Sequence, residues 1–356
     1  MSVAETIEAF ARGEIVVVTD DDDRENEGDL ILAAVHATPE KMAFIIRHTC
    51  GIVCAPVTAE VARRLHLAPM VADGDAIHGT AFTVSVDYRH GTTTGISADD
   101  RTATIRNLAN GNAGPADFVR PGHVFPLIAK EGGVLMRSGH TEAAVDLCRF
   151  ADVPPVAAIC ELVNDDGTVM RGPQVATFAH KHKLRRISVA DLIAYRQARE
   201  KLVTRVGEFK VSTEIGPLAG YAYATPFDKV QHFAFVYGRL GDGKDVPTRL
   251  HRANVVDDVF GGAKPIHAAL SGFKKAGRGV LVYLREGASG VPIPGPGDEA
   301  TGSELERSRQ WKDIGLGAQI LRDLGISSIR LYATRARTYV GLAGFGIEIA
   351  GTEPLE

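Results

Sequence analysis

The side chains best suited to chemistry crowd into residues 20–29, DDDDRENEGD, where seven of ten positions are acidic. Like charges this close repel one another in any compact structure, so something positive must compensate them. A run of like charge is commonly a solvated face. Here, however, Arg24 and Asn26 sit inside the run, and short β-type apolar stretches flank it at residues 15–18 and 30–34. The segment therefore reads as a strand-to-strand connection anchored in a core. A second cluster, RSGHTE at residues 137–142, brings a guanidinium, an imidazole and a hydroxyl to a Gly turn before a helix. Arg137 and the helix-start amides suit a phosphate, and His140 suits a metal. An octahedral Mg²⁺ or Mn²⁺ ion favours carboxylate oxygens and keeps positions for water or substrate. The acidic turn supplies the carboxylates that His140 would need.

The elements that must position these groups follow from apolar pattern and caps. Thr38, with Pro39 behind it, opens a helix through His48, and Thr58 opens another. Residues 81–87 partly alternate and predict a strand with one face covered. The turn HGTTT at residues 90–94 leads to a helix capped by Ser97, with Asp99 and Asp100 in its first turn. Such a loop can bind phosphate, but two acids at the helix start argue against an anion there. Strand-like runs at 124–129, after RPGH, and at 134–136 precede a helix from Thr141 through Phe150. Cys54 ends a strand-like run at 51–54 just before Pro56, and strand ends are where sites collect in α/β sheets.

Composition bounds the rest. The 356 residues exceed a typical single domain, so two are expected. A net charge of −4 offers no general basic field for a nucleic acid. No apolar run approaches the roughly 20 residues of a membrane span, and MSVAETIEAF lacks the basic and apolar regions of a signal peptide. A cytoplasmic protein acting on a small molecule is expected. The four cysteines, Cys50, Cys54, Cys148 and Cys160, are too few for a disulfide scaffold, and the Cys50/Cys54 pair has no second pair at zinc spacing. No zinc is expected.

The ordered series DDRENEGD, RHTCGIVC, HGTAFTVSVD, TTGISADDRT, RPGHVFPL, GGVLMRSGHTEAAVDL and ICELVNDDGT resembles 3,4-dihydroxy-2-butanone 4-phosphate synthase across a domain placed at residues 1–203. The resemblance implies an α/β (α+β) domain with a mixed sheet flanked by helices. It also implies a Mg²⁺-dependent lyase of riboflavin biosynthesis, acting as a homodimer on ribulose 5-phosphate to give 3,4-dihydroxy-2-butanone 4-phosphate and formate. Carried over by position, Glu25 and His140 match metal ligands. Arg24, Glu25, Asp29, Arg137, Ser138, Gly139, His140, Thr141 and Glu161 match substrate contacts, with Arg137 and Thr141 expected at the phosphate. His123 and Glu161 match catalytic positions. The chemistry is compatible, because adjacent carbonyl and hydroxyl oxygens can chelate a divalent ion that stabilises an ene-diolate. Later steps also move protons, and the candidates for that work are Asp21, Asp23, Cys54, Asp99, His123 and Glu161.

Residues 204–356 resemble GTP cyclohydrolase II, a second α+β domain, through TRVGEFKV, GDGKDVPTRLHR, GLGAQILRDLGISSIRL and VGLAGFGIEI. The resemblance fails at that family's zinc cysteines, where Asn254, Pro265 and His267 stand, and no cysteine follows Cys160. Zinc catalysis needs about three protein ligands and an open position, which His267 and His251 do not supply. A Pro- and Gly-rich stretch at residues 287–302 also replaces the family's Arg- and Gly-rich segment. The expectation is a synthase with a second domain that does not hydrolyse GTP. The alternative is a non-catalytic regulator of flavin synthesis that binds a sugar phosphate or nucleotide.

Overall fold

The computed structural model describes residues 2–20, 26–71, 80–226, 230–285, 315–334 and 347–355. The chain divides into two compact units, Met1–Ile193 and Ala194–Glu356. Each is α+β with a mixed sheet flanked by helices, the class expected from the sequence. Among the described residues no helix is long and apolar enough to cross a membrane.

In the first unit the elements in chain order are α1 (Val3–Ala11), β1 (Val16–Thr19), β2 (Gly28–Ala33), α2 (Pro39–His48), β3 (Cys54–Val57), α3 (Ala59–Arg64), β4 (Val86–Tyr88), α4 (Ala98–Leu108), β5 (Phe118–Ile128), α5 (His140–Phe150), β6 (Ala157–Glu161), α6 (Pro173–Lys181), β7 (Arg185–Ser188) and α7 (Val189–Arg199), whose last residues pass into the second unit. The strands form one sheet in the order β4-β5-β3-β6-β2-β1-β7. Pairs β1/β7 and β3/β5 are parallel, and the others are antiparallel.

Every residue of β2 is buried, because β1 and β6 pair with its two edges and helices cover both faces. Side chains alternate across a strand, so Leu30 and Leu32 enter the core beneath α2, α4 and α6, where Met42, Ile45, Ile105, Val175 and Phe178 meet them. Helices α1 and α5 pack on the sheet as well and touch β2 directly. Truncating a fully buried leucine here, such as Leu30→Ala, costs about 2–5 kcal/mol.

The expected helix starts hold. Thr38, Thr58 and Ser97 each accept a hydrogen bond from a first-turn amide, of Lys41, Val61 and Asp100 respectively. Such a cap contributes about 0.5–2 kcal/mol. Other local expectations need correction. Cys54 begins its strand and does not end it: Pro56 lies inside β3, where β5 pairs along the whole strand while β6 pairs only at Cys54, and Val57 bridges Val156 just ahead of β6. Proline has no N–H to donate, which accounts for the gap on the β6 side. The run 134–136 is a 3₁₀ turn, Gly133–Leu135, because Gly132 and Gly133 both take positive φ and the Asp146 carboxylate accepts from the Val134 amide. Helix α5 starts at His140, one residue early, with Gly139 as its cap.

The second unit contains β8 (Thr204–Thr213), β9 (Gly216–Ala224), β10 (His232–Tyr237), β11 (Val246–Arg252), α8 (Lys264–Ala276), β12 (Gly279–Leu284), a helix at residues 315–323, β13 (Ser328–Ala333) and β14 (Glu348–Pro354). Its sheet order is β14-β13-β11-β12-β10-β9-β8. An antiparallel meander, β8 to β10, joins a parallel part, β11 to β14. The apolar face of α8 buries Ala269, Leu270 and Phe273, and Phe273 stacks on Tyr332.

Candidate active site

Four adjacent strands carry the site. In the order β5-β3-β6-β2 they bear His123, Cys54, Glu161 and Asp29. Register puts all four at one end of the sheet: Cys54 lies opposite Phe125 on one side and Ile159 on the other, and Asp29 lies opposite Glu161. The hairpin that holds the acidic turn closes at the same end, where Thr19 pairs with Gly28. Helix α5 then brings in His140, whose Nδ1 is 3.8 Å from Asp29 Oδ1, with both side chains almost fully buried. An imidazole beside a carboxylate is a donor set that a hard divalent ion accepts.

His123 is the most exposed of these groups, at 42% of its side chain. Asp87 of β4 fixes it twice: Asp87 Oδ1 accepts from the His123 amide at 2.8 Å, and Oδ2 lies 2.7 Å from the ring Nδ1. A carboxylate there selects the tautomer with a proton on Nδ1, leaving Nε2 to accept or give one. Gly95 lets this pair exist. It has φ +90°, and a Cβ there would overlap Asp87 Oδ2 and come within 2.6 Å of His123 Nδ1.

The Thr- and Gly-rich loop is not open to an anion. Asp100, at the start of α4, accepts from the Thr93 amide, the Thr93 hydroxyl and the Gly95 amide. These bonds, the Thr93 hydroxyl first, hold its carboxyl below its ordinary range. Asp99 is exposed in the same turn. Buried Arg101 donates to the carbonyls of Ile96 and Gly51, tying this loop to the one after Cys50.

Arg137, Ser138 and Gly139 lead into the start of α5, and Thr141 is buried in its first turn. The Arg137 guanidinium is held by Glu142 at 2.6 Å and by the Thr80 hydroxyl at 2.7 Å. Burial pushes the Glu142 carboxyl up, and Arg137 and the Lys130 amide oppose that shift. In the acidic turn, buried Asp20 is a closing residue, since its Oδ1 accepts from the Glu27 amide at 2.8 Å. Asp21, Asp23, Arg24 and Glu25 lie outside the described residues, as does the whole Pro- and Gly-rich stretch at residues 287–302.

The cysteines sort by burial. Cys54 is 4% exposed, and burial, then the Glu161 and Asp29 charges, push its thiol far up. Cys50 is exposed and donates to Glu161 Oε2 at 2.9 Å. Spacing in the chain did not reveal Asp87 as the partner of His123 or Cys50 as a neighbour of Glu161. The one signal for Asp87 was its place at the end of an alternating run, and Cys50 had none beyond lying four positions from Cys54.

In the second unit the expected zinc positions have other partners. Asn254 caps a turn by accepting from the Val256 and Asp257 amides, Pro265 sits in the first turn of α8, and His267 faces Glu214 at 2.7 Å. His251 is locked against Asp258 at 2.9 Å and stacked on Tyr283.

Residues 4–195 match the family model of 3,4-dihydroxy-2-butanone 4-phosphate synthase, and residues 204–354 match that of GTP cyclohydrolase II. Two relatives from Arabidopsis thaliana differ in their names. The bifunctional riboflavin biosynthesis protein RIBA 1 is 44% identical over 99% of this chain and 69% of its own, and the monofunctional RIBA 2 is 45% identical over 99% and 77%. A solved structure from A. baumannii, RibBX, a two-domain 3,4-dihydroxy-2-butanone 4-phosphate synthase, is 36% identical with TM-score 0.84 over 99% of both chains. A synthase solved with two magnesium ions is 46% identical with TM-score 0.55, over 56% of this chain and 98% of its own.

Proposed function

The chain belongs to the 3,4-dihydroxy-2-butanone 4-phosphate synthase family, joined to a GTP cyclohydrolase II domain, and on that premise we propose that it converts ribulose 5-phosphate to 3,4-dihydroxy-2-butanone 4-phosphate and formate for riboflavin biosynthesis. The observation that carries this reading is the convergence of His123, Cys54, Glu161, Asp29 and His140 at one end of the first sheet. Glu25 and His140 would hold a divalent cation, Mg²⁺ or Mn²⁺, which when bound polarises the sugar carbonyl. The substrate phosphate meets Arg137 and the amides that open α5, a helix N-terminus with a guanidinium fixed beside it. His123 moves protons through Nε2 while Asp87 holds its other nitrogen. Glu161 supplies a second carboxylate beside Asp29, and Cys54 lines the site as a buried thiol. Arg24, Ser138 and Gly139 complete the substrate contacts, and Asp21, Asp23 and Asp99 remain candidates for proton transfer.

The second domain holds no catalytic zinc and does not open GTP in this reading. Asn254 and Pro265 offer no zinc-binding side chain, and His251 and His267 are bonded to separate carboxylates. The monofunctional relative and the two-domain synthase support it; the bifunctional relative stands on the other side. Exposed Ile52 and Ile96, on the two loops that Arg101 joins, supply apolar surface for a homodimer in the cytoplasm. The decisive experiment is formate release from ribulose 5-phosphate with Mg²⁺. One formate for each butanone phosphate formed is expected, and a protein that binds the sugar phosphate without releasing formate would be the regulator instead.

A further inference from the structure

Two thiols at the active end of the sheet have no part in the reaction just described. Cys50 Sγ lies 3.6 Å from Cys160 Sγ and 2.9 Å from Glu161 Oε2, and the three donor atoms fall within 4.8 Å of one another. Among the described residues no other three His, Cys, Asp or Glu side chains converge this way. Two sulfurs bonded to one tetrahedral zinc at about 2.3 Å each stand about 3.8 Å apart, so the thiols are already spaced for such an ion.

The surroundings fit the same chemistry. The Cys50 amide donates to the Glu161 carbonyl at 2.9 Å and Thr49 bridges Leu162, so the backbone on both sides is fixed. The Thr49 hydroxyl, whose single proton faces both the Ile45 carbonyl at 2.7 Å and Cys160 Sγ at 3.0 Å, packs against the buried sulfur and holds its position. Cys160 is fully buried and Cys50 is exposed, which leaves an entry path from solvent. The contact between the two sulfurs holds the Cys50 thiol below its usual range, and the same contact with burial pushes Cys160 up. Soft sulfur ligands select zinc-like ions over Mg²⁺.

We propose that Cys50, Cys160 and Glu161 form a site for a thiophilic divalent cation of the zinc class, separate from Glu25 and His140, and that its occupation inhibits the synthase by withdrawing Glu161. This departs from the sequence expectation of no zinc, because Cys50 and Cys160 are brought together only by the sheet. Binding exchanges two thiol protons for one cation, with no redox change, so affinity rises with pH. The inhibitory half rests on the catalytic reading of Glu161; the binding half does not.

The test uses Co²⁺ as probe on the full chain, with excess Mg²⁺ and a non-thiol reductant. One equivalent should give a sulfur-to-cobalt charge-transfer band that is absent in Cys50→Ser and retained in Cys148→Ser. Thr49→Val should weaken binding about tenfold. Zinc should inhibit formate release in the wild type, reversibly with a chelator, and should leave Cys50→Ser at the rate that variant shows without zinc. No band, a band that survives Cys50→Ser, equal inhibition of both proteins, or a Cys50–Cys160 disulfide forming in place of metal binding would overturn the proposal. A Cys50-dependent band in a protein that releases no formate would keep the site and remove the synthase reading.

Discussion

His123 shows how much of a side chain's behaviour belongs to its neighbour. Its ring is exposed, yet Asp87 fixes both its amide and its Nδ1. Asp87→Asn should leave the fold intact and lower kcat for formate release by about 10²-fold, with little change in KM, because general acid–base catalysis is typically worth that much or more. An equal loss in KM alone would assign Asp87 to substrate binding. Glu25→Ala should abolish turnover together with Mg²⁺ binding measured by calorimetry, while Cys54→Ser should leave measurable activity, since a hydroxyl can also carry a proton. Full activity of a metal-free Glu25→Ala protein would refute the metal assignment. The sequence singled out His123, Glu161 and His140 through their motifs, and the structure brings them to one end of the first sheet. Asp87 was not, because hydrogen bonding across 36 positions leaves no mark on local spacing.

At the scale of elements, α4 does more than its cap suggested. Its first turn contributes Asp100, which ties down the loop bearing Gly95, and Arg101, which reaches the loop after Cys50. The Asp100 carboxyl is depressed in the fold, so its stabilising contribution is present above its ordinary value of 3.8 and is lost as pH falls through the lower folded value. Asp100→Asn should therefore lower Tm by about 5 °C near neutral pH and shrink that gap in strong acid. A Tm difference that does not depend on pH would show that the charge is not what holds the loop. Helix starts were readable because Ser or Thr with a following acid or proline is a local signal. The 3₁₀ turn at Gly133–Leu135 was not, since three apolar residues fit a strand equally well until the Asp146 carboxylate takes the Val134 amide.

At the scale of the whole molecule, two domains with separate sheets divide the question of function. With added Zn²⁺ and GTP the protein should release no ring-opened product, and appearance of that product would overturn the proposal that the second domain lacks cyclohydrolase activity. The sequence by itself determined the two-domain α+β class and the family, and it named the candidate reactive groups, because apolar periodicity, caps and long ordered motifs are local properties of a chain. It also showed where the cysteines of the second domain are missing. Tertiary structure alone decided which groups share one end of a sheet: Asp29 opposite Glu161, Cys54 between the strands of His123 and Glu161, Cys50 against Cys160, and Asp87 behind His123. The reason is that strand order and register, β5-β3-β6-β2 in particular, are set by which buried faces must pack together, and no stretch of sequence encodes that alone.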